Sequence, residues 1–386
     1  MLEGWRHTEL GEHIDLLTGH PFKSAEYSQD SDGIRLLRGD NVIQGVIRWD
    51  DARRWPRDKV DGLERYQLAE GDVVVALDRT WVKAGLKAAA ITRGDLPCML
   101  VQRVARIRAA DTLDQRFLAA IIQSHRFVEM VKSSKTETAV PHISPNDIRE
   151  FVIDLPPLPE QRKIAEILRT WDEALEKLTA LRAAKARRLA GVGRALLARA
   201  ADDPATVTKP LATLTRIVKG QQLNKLDISD GDYPVWNGGI TPSGFHNEWN
   251  TEGGTITISE GGNSCGFVNL AHQPFWLGGH CYALQGLSPI VERDFLFHTL
   301  KSREPEIMRL RVGSGLPNIQ RADLERLTVV VPPRDLQEKI ASALTAGNAE
   351  IALLGDEIEA LTRQKRGLMQ KLLTGEWRVK PEAPVA

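Results

Sequence analysis

The stretch Pro141–Leu168, PHISPNDIREFVIDLPPLPEQRKIAEIL, decides the fold because a second copy follows at Pro317–Leu344, PNIQRADLERLTVVVPPRDLQEKIASAL. A shift of 176 residues aligns the two, and ten of the 28 positions are then identical. Ordinary composition would give roughly two identities over this length. Because a repeat at a fixed offset marks a duplicated structural unit, the 386-residue chain is predicted to contain two copies of one architecture.

Outside this block the two halves agree only at scattered anchors. Leu10–Gly19 (LGEHIDLLTG) aligns with Leu211–Gly220 (LATLTRIVKG), while the segments between the anchors differ in length and residue type. A shared frame with divergent contents is what two recognition domains with different targets would show.

Apolar residues recur at seven-residue spacing after each double proline, in paired series three and four positions apart. The first set is Ile164, Leu168, Trp171, Leu175, Leu178, Leu189 and Leu196, and the second is Leu344, Ile351, Leu354, Ile358, Leu361, Leu368 and Leu372. This pattern predicts two long helices with a coiled-coil seam. Arg182, Lys185, Gly347 and Lys365 interrupt the seam, and polar seam residues can fix the register of helix pairing.

The predicted order is therefore domain, long helix, domain, long helix. The boundaries are residues 1–155 for the first domain, 156–200 for the first long helix, 201–331 for the second domain, 332–378 for the second long helix and 379–386 for a disordered tail. Within the domains, strands are predicted at 71–76, 101–107, 255–258 and 327–331, and short helices at 117–131 and 295–300.

Composition narrows the class of protein. No apolar run approaches the roughly 18 residues of a membrane span, and the first residues lack the layout of a signal peptide. Cys98, Cys265 and Cys281 form no CxxC pair, so we expect a cytoplasmic protein without a disulfide framework. The net charge of zero gives little overall attraction for DNA, although basic residues concentrate at 79–108 and 182–199.

Motifs for catalysis are missing from the sequence. There is no GxxxxGK[ST] loop for ATP phosphates, and the DLPPL of residues 154–158 lacks the acid and aromatic residue that flank the prolines of an adenine methyltransferase. Glu260–Gly266 is glycine-rich and is interpreted as a turn between strands. Cys265, His272, His280 and Cys281 lack the paired spacing of a zinc site, so buried thiols are favoured and no metal site is predicted.

At Leu155–Ile164, LPPLPEQRKI, the sequence resembles the signature of type I restriction-modification specificity subunits. The second copy, at Val331–Ile340, departs from it by having Leu336 where the first has Glu160. Lys371–Trp377 also resembles the usual ending of this family, and with the duplication the resemblance covers essentially the whole chain.

The resemblance implies an α+β fold, with two globular target-recognition domains separated by two long antiparallel coiled-coil helices and a pseudo-two-fold internal repeat. Each domain would read one half of a bipartite, asymmetric site in double-stranded DNA, and the helices would dock two methylation subunits. Restriction subunits could then join. Adenine methylation and ATP-driven cleavage belong to those partners, so S-adenosylmethionine, ATP and Mg are expected there. This subunit would bind no cofactor, contact no membrane and catalyse nothing.

Candidate contacts follow from this implied function. For DNA they are Lys23, Arg38, Asn41, Arg79, Lys83, Lys135, Thr136 and His142 in the first domain, and Gln221, Lys225, Asn237, His246, Asn263, Ser264, Ser314 and Asn318 in the second. For the partner subunits they are Gln161, Ile164, Leu168, Leu175, Leu178, Ile340, Leu344, Ile351, Leu354 and Leu361. Arginine bonded to guanine, and asparagine or glutamine bonded to adenine, are the expected base contacts.

Two other functions compete with this interpretation. A coiled-coil scaffold carrying two protein- or glycan-binding domains fits the helix spacing, but the Pro-Pro-x-x-x-Gln-x-Lys-Ile signature favours the DNA-reading family. A self-sufficient methyltransferase or nuclease would need the motifs that are missing.

Overall fold

The computed structural model describes residues 4–82, 85–133, 142–223, 231–313 and 317–380. The chain divides into two compact units, of which unit 1 is Met1–Lys177 with Ile358–Ala386 and unit 2 is Leu178–Glu357. This division crosses both long helices instead of following the double prolines. It does so because each half-helix packs into the core of the domain beside it: Leu168 lies in the core of unit 1 and Leu344 in that of unit 2.

The described part of unit 1 contains four β-sheets, two of which are two-stranded. Its strands are β1 (Arg6–Glu9), β2 (Ile14–Thr18), β3 (Ile34–Leu37), β4 (Arg54–Trp55), β5 (Val73–Ala76), β6 (Trp81–Val82), β7 (Gly85–Leu86), β8 (Ala88–Ala90), β9 (Cys98–Leu100), β10 (Val104–Ala109) and β11 (Val152–Leu155). A four-stranded sheet has the order β2-β10-β5-β8, a smaller one has the order β4-β3-β9, and β1 pairs with β11. Within the small sheet β3 and β9 run parallel.

The four-stranded sheet of unit 1 is covered on both faces. Val73 and Val75 of β5 point into one apolar core and Val74 into another, as the two-residue period of a strand requires. The helices are α1 (Gln115–Gln123), α2 (His125–Ser133), α3 (Pro145–Arg149) and the first long helix, α4 (Leu158–Ala201). Residues 117–131 were predicted as one helix, which is wrong because Ser124 adopts an extended conformation and its Oγ accepts from the Phe127 N–H at 3.2 Å.

Unit 2 repeats this topology. Its strands are β12 (Val207–Pro210), β13 (Arg216–Lys219), β14 (Tyr233–Trp236), β15 (Phe245–His246), β16 (Thr255–Ser259), β17 (Val268–Ala271), β18 (Trp276–Leu277), β19 (Cys281–Gln285) and β20 (Thr328–Val331). Its helices are α5 (Leu211–Leu214), α6 (Arg293–Ser302), α7 (Glu304–Arg309), α8 (Arg321–Arg326) and the start of the second long helix, α9 (Arg334–Leu373). The sheets are β13-β19-β16-β17, β15-β14-β18 and β12-β20, and β14 and β18 are again parallel. The duplicated architecture is therefore confirmed.

The two long helices run antiparallel within each unit. In unit 2, Arg182 Nε donates to the Ile351 carbonyl at 3.3 Å and Lys185 Nζ lies 2.7 Å from Glu350 Oε1. In unit 1, Lys365 pairs with Asp172. The polar interruptions of the seam are thus contacts between the helices.

The glycine in the seam has a steric reason. A Cβ atom at Gly347 would lie 2.5 Å from Cδ1 of Leu189, so a side chain at this position would separate the helices. Glycine allows the close approach, and the leucine fills the space.

The second long helix ends earlier than predicted, at Leu373 instead of residue 378. Gly375 has φ +70 and the Trp377 N–H donates back to the Lys371 carbonyl at 3.1 Å, which is how a glycine commonly ends a helix. The prediction of a disordered tail from residue 379 is also wrong at its first residue, because the Val379 N–H donates to Glu160 at 3.3 Å. Residues 381–386 lie outside the described ranges.

Glu160 of the signature holds both ends of the chain in unit 1. Its buried carboxylate accepts two bonds from Arg378, at 2.9 and 3.0 Å, and one from the Trp5 indole at 3.1 Å. Burial raises the pKa of Glu160, but the bonds from Arg378 and Trp5 outweigh it and hold the pKa below its usual value. Leu336, at the equivalent position of unit 2, has no carboxylate to make such bonds.

Candidate nucleic-acid interface

A basic cleft lies at one edge of the small sheet of unit 1. Because β3 and β9 are parallel, Arg38, which follows β3, and Arg103, which follows β9, emerge at the same edge. The loop after β5 joins them, since the Leu77 N–H donates to the Arg103 carbonyl at 2.8 Å. The resulting cleft of about 400 Å³, called here the unit 1 cleft, is lined by Phe22, Tyr27, Arg38, Gly39, Asp40, Asp78, Arg79, Lys87, Val101, Gln102 and Arg103.

The carboxylates of this cleft are already bonded. Asp78 pairs with Arg103 through one oxygen and lies 2.7 Å from Nδ1 of His142 through the other. Asp40 is 3.4 Å from the guanidinium of Arg38. The cleft therefore keeps positive charge that its own acids do not neutralise.

Lys87 forms part of the cleft wall with only 6% of its surface exposed. In the described ranges its ammonium group makes no hydrogen bond or ion pair. Burial lowers its pKa, with Asp40 opposing and Arg79 adding to that shift. Its nitrogen is not among the buried polar atoms that lack a partner, so it reaches the open space of the cleft, where an acceptor on a ligand can meet it.

Two arginines of the cleft have left-handed backbone conformations. Arg79 has φ +48 and Arg103 has φ +72, a region that favours glycine. Residues held there at some cost in stability concentrate at functional sites. In unit 2 the position equivalent to Arg79 is Gly262, with φ +76, so the frame requires this conformation and unit 1 keeps a charged side chain in it.

The same backbone frame recurs in unit 2 with different side chains. The Glu260 N–H donates to the His280 carbonyl at 2.9 Å, as Leu77 does to Arg103, and the Ile319 N–H donates to the Glu260 carbonyl at 2.8 Å. These bonds fix the equivalences and define what we call the unit 2 edge. It consists of Asn237, Gly261, Gly262, Asn263, Ser264, Gly278, Gly279, His280 and Asn318, where unit 1 has arginines and Asp78.

Amides and hydroxyls dominate the unit 2 edge. Asn237 Oδ1 accepts from the His280 N–H at 3.1 Å, Ser264 Oγ donates to the Gly238 carbonyl at 2.6 Å, and Asn318 Oδ1 accepts from Gln320 at 2.9 Å. The nearby Glu260 is neutralised by Lys219 at 2.6 Å. This edge is therefore polar and nearly uncharged. Glu260–Gly266 lies between the antiparallel strands β16 and β17, which confirms the predicted turn.

The structure brings together three of the contacts nominated in the first domain. Arg38 and Arg79 line the unit 1 cleft and His142 bonds to its Asp78, while Lys23 is exposed beside it. The prediction of Asn41 as a DNA contact is wrong. The residue is 8% exposed, and its side-chain amide accepts from the Arg38 N–H and donates to the Arg48 carbonyl, both at 3.0 Å. Its side chain holds a turn and is not free to meet a base. Lys83, Lys135 and Thr136 lie outside the described residues.

In the second domain, Asn237, Asn263, Ser264 and Asn318 share the unit 2 edge, and Asn263 is exposed. The carbonyl of Gln221 accepts from the Trp276 indole at 3.2 Å, and the His246 ring packs edge-on against Trp276, with centroids 5.1 Å apart. The Gln221 backbone and the His246 side chain therefore lie at β18, next to the edge. Lys225 and Ser314 are outside the described ranges.

The prediction of Gln161 as a contact to a partner subunit is wrong. Gln161 is fully buried; its Oε1 accepts from the Asp114 N–H at 2.8 Å and its Nε2 donates to the carbonyls of Thr112 and Pro156. Gln337 repeats this arrangement with Glu292, Ile290 and Pro332. Each glutamine ties a long helix to its own domain, which explains why both copies of the repeat contain it.

The apolar positions nominated for partner subunits divide into two sets. Ile164, Leu168, Ile340 and Leu344 are buried in the chain's own cores, so their side chains offer no surface to a partner, which corrects that prediction. Leu175, Leu178, Ile351, Leu354 and Leu361 are half-buried on the long helices. The apolar side chains that these helices do expose include Leu181, Val192 and Leu353, the last at 68%.

Sequence reasoning missed Asp78, Lys87 and Arg103 as site residues. All three lie where the alignment of the two halves is lost, and only the backbone bonds show that Asp78 is equivalent to Gly261 and Arg103 to His280. The basic run at residues 79–108 was the available signal, but the same run includes Arg106, which is buried and paired with Asp15.

The cysteines lie in the apolar cores. Cys98, Cys265 and Cys281 are free and buried, and burial raises the pKa of Cys98 and of Cys281 to about 12. Within the described ranges, no three His, Cys, Asp or Glu side chains are grouped so as to hold a metal ion. None of the helices in those ranges combines the length and apolar character needed to cross a membrane.

Comparisons with known proteins agree with the resemblance in the sequence. The profile of the type I restriction modification DNA specificity domain matches residues 3–185 and 207–363. The chain is 39% identical over 163 residues to the type I restriction enzyme EcoAI specificity subunit of Escherichia coli, covering 42% of this chain and 27% of that protein. It is 31% identical over 175 residues to the MjaVIII specificity subunit of Methanocaldococcus jannaschii, covering 45% and 41%. The chain thus spans less than half the length of these curated relatives.

The fold comparison covers the chain more completely. A crystal structure of a type I restriction-modification S subunit from M. genitalium superposes with a TM-score of 0.63 over 96% of each chain, at 20% sequence identity. The two proteins share the fold.

Proposed function

We propose, from the premise that this chain belongs to the type I restriction modification DNA specificity family, that it binds double-stranded DNA and directs a modification complex to a bipartite, asymmetric site. The observation that carries the proposal is the pair of equivalent sheet edges. One backbone frame occurs twice, and it presents arginines and a lysine in unit 1 but amides in unit 2. Different donors and acceptors read different bases, so the two half-sites should differ in sequence.

The chain itself would contribute recognition and not chemistry. Two methylation subunits would transfer methyl groups to adenine, restriction subunits would join for cleavage, and S-adenosylmethionine, ATP and Mg would be bound by those partners. A net charge of zero supports this division, because a neutral chain gains little affinity from phosphates alone. The partners would complete the DNA affinity.

The experiment compares DNA binding by the purified chain with binding by its complex with the methylation subunits. The complex should bind a duplex containing the site tightly, and sequencing of methylated adenines should return one non-palindromic, interrupted motif. The chain alone should transfer no labelled methyl group. A complex that binds all duplexes equally, or a chain that methylates without partners, would contradict the proposal.

A further inference from the structure

We propose that the unit 1 cleft is a guanine-binding subsite, in which Arg103, oriented by Asp78, reads the O6 and N7 atoms of a guanine in the major groove. This inference rests on the proposed function and names a base that one half-site must contain. Arg103 is suited to the task by position, since its side chain is 68% exposed at the mouth of the cleft.

The unpaired polar groups of the cleft are hydrogen-bond donors, because its acceptors are already bonded. Both oxygens of Asp78 are occupied, by Arg103 and His142, and Asp40 lies against Arg38. Arg79 and Lys87, by contrast, have no bonded partner in the described part of the chain. A ligand entering the cleft therefore meets N–H groups whose charge calls for acceptors.

Among the four bases, guanine alone presents two acceptors and no donor on its major-groove edge. Adenine and cytosine present an amino group there, and thymine a methyl group beside its one acceptor. An amino group facing these arginine and lysine donors would lose its hydrogen bond to water and gain none, which is penalised. The cleft therefore selects guanine.

The orientation of Arg103 separates base reading from phosphate binding. One nitrogen of the Arg103 guanidinium, Nη1, donates to Asp78, which holds the group beside that carboxylate and leaves the N–H groups of Nε and Nη2 free for a bidentate contact. The Arg103 backbone is fixed as well, because its carbonyl accepts from the Leu77 N–H at 2.8 Å. A phosphate contact needs positive charge but no such orientation by a neighbouring carboxylate. Unit 2, with Gly261 and His280 at the equivalent positions, has no counterpart of this subsite.

The test uses the complex of the full chain with its methylation subunits and two matched variants. Arg103→Lys keeps the positive charge but removes the paired N–H groups that a bidentate contact needs. The control, Arg116→Lys, makes the same change on the exposed surface of α1, away from the cleft. In the wild type, replacing one guanine of the site by 7-deazaguanine, which lacks the N7 acceptor, should weaken binding. Arg103→Lys should lose between about 5-fold and 150-fold discrimination at that guanine only, with the dependence of affinity on salt unchanged.

Several results would overturn the subsite. One is a wild-type site whose binding is insensitive to 7-deazaguanine at every guanine. Another is an Arg103→Lys complex that discriminates as the wild type does, or that binds every sequence more weakly by the same factor with a reduced salt dependence, as loss of a phosphate contact would give. If the wild-type complex methylates no defined site at all, the proposed function fails, and the subsite fails with it.

Discussion

The unit 1 cleft and the unit 2 edge share one backbone and differ in the charge it carries. Equivalent bonds, Leu77 to Arg103 and Glu260 to His280, fix both frames, yet one presents four basic side chains and the other amides, glycines and one histidine. The backbone frame and the side chains that would contact DNA are therefore determined separately. Buried glutamines and strand pairing build the frame. The side chains at the cleft and the edge are not required for the stability of the fold, so they can differ between the units.

Breaking the frame should have the largest effect, and an equal one in both units. Gln161→Ala and Gln337→Ala each remove three hydrogen bonds from a buried amide to backbone groups, and the bond to the proline carbonyl is itself buried, which should cost about 2–4 kcal/mol of unfolding free energy. Thermal and denaturant unfolding would measure it. Gln123→Ala on the exposed face of α1 is the control and should change little. A large loss from one glutamine and none from the other would show that the frames are not equivalent.

Glu160 and Leu336 sharpen the comparison, because they occupy equivalent positions with different chemistry. Glu160→Gln should destabilise unit 1 by about 1–3 kcal/mol at neutral pH, since it weakens a buried pair whose arginine is partly exposed. The folded pKa of Glu160 lies below its usual value. Its contribution is therefore present above the unfolded pKa of about 4.3 and is lost as pH falls through the folded pKa.

The measurement is unfolding as a function of pH for the wild type, Glu160→Gln and the control Leu336→Gln. The difference between the wild type and Glu160→Gln should shrink below about pH 4.3. A difference that stays constant with pH would mean that the charge of Glu160 does not stabilise unit 1.

Arg79 and Gly262 give the smallest effect and the clearest separation of stability from binding. Because Arg79 has φ +48 where unit 2 has glycine, Arg79→Gly should stabilise unit 1 by up to about 1 kcal/mol. The same change should weaken DNA binding by the complex about tenfold and reduce the slope of log affinity against log salt by about one.

Arg116→Ala, which removes a charge outside the cleft, should leave that slope unchanged. If Arg79→Gly binds DNA as the wild type does, Arg79 has no role in the interface. The difference in charge between the unit 1 cleft and the unit 2 edge would then not be explained by DNA binding at Arg79.

The backbone frame could be predicted from the sequence, whereas most of the side chains that line the unit 1 cleft could not. The signature glutamine occurs in both copies because its buried side chain makes three bonds that hold the helix to its domain. The repeat therefore predicted the duplication, and the heptad spacing of apolar residues predicted the long helices. The helix seam was also predictable, although the register-fixing contacts of Lys185 and Lys365 needed partners far along the chain. Asp78 and Arg103 face the cleft, where the fold constrains only the backbone. The basic run at 79–108 contains Arg103, but it also contains the buried Arg106, so the run does not show which of its residues face the cleft.

The most direct test of the central claim is to sequence the methylated adenines produced by three complexes: the wild type, Arg38→Ala and Asn263→Ala. Arg38 lines the unit 1 cleft and Asn263 is exposed on the unit 2 edge. The wild type should yield one asymmetric, interrupted motif, Arg38→Ala should relax bases in one half only, and Asn263→Ala should relax bases in the other half only. A palindromic motif, or changes in both halves from either single substitution, would contradict the account.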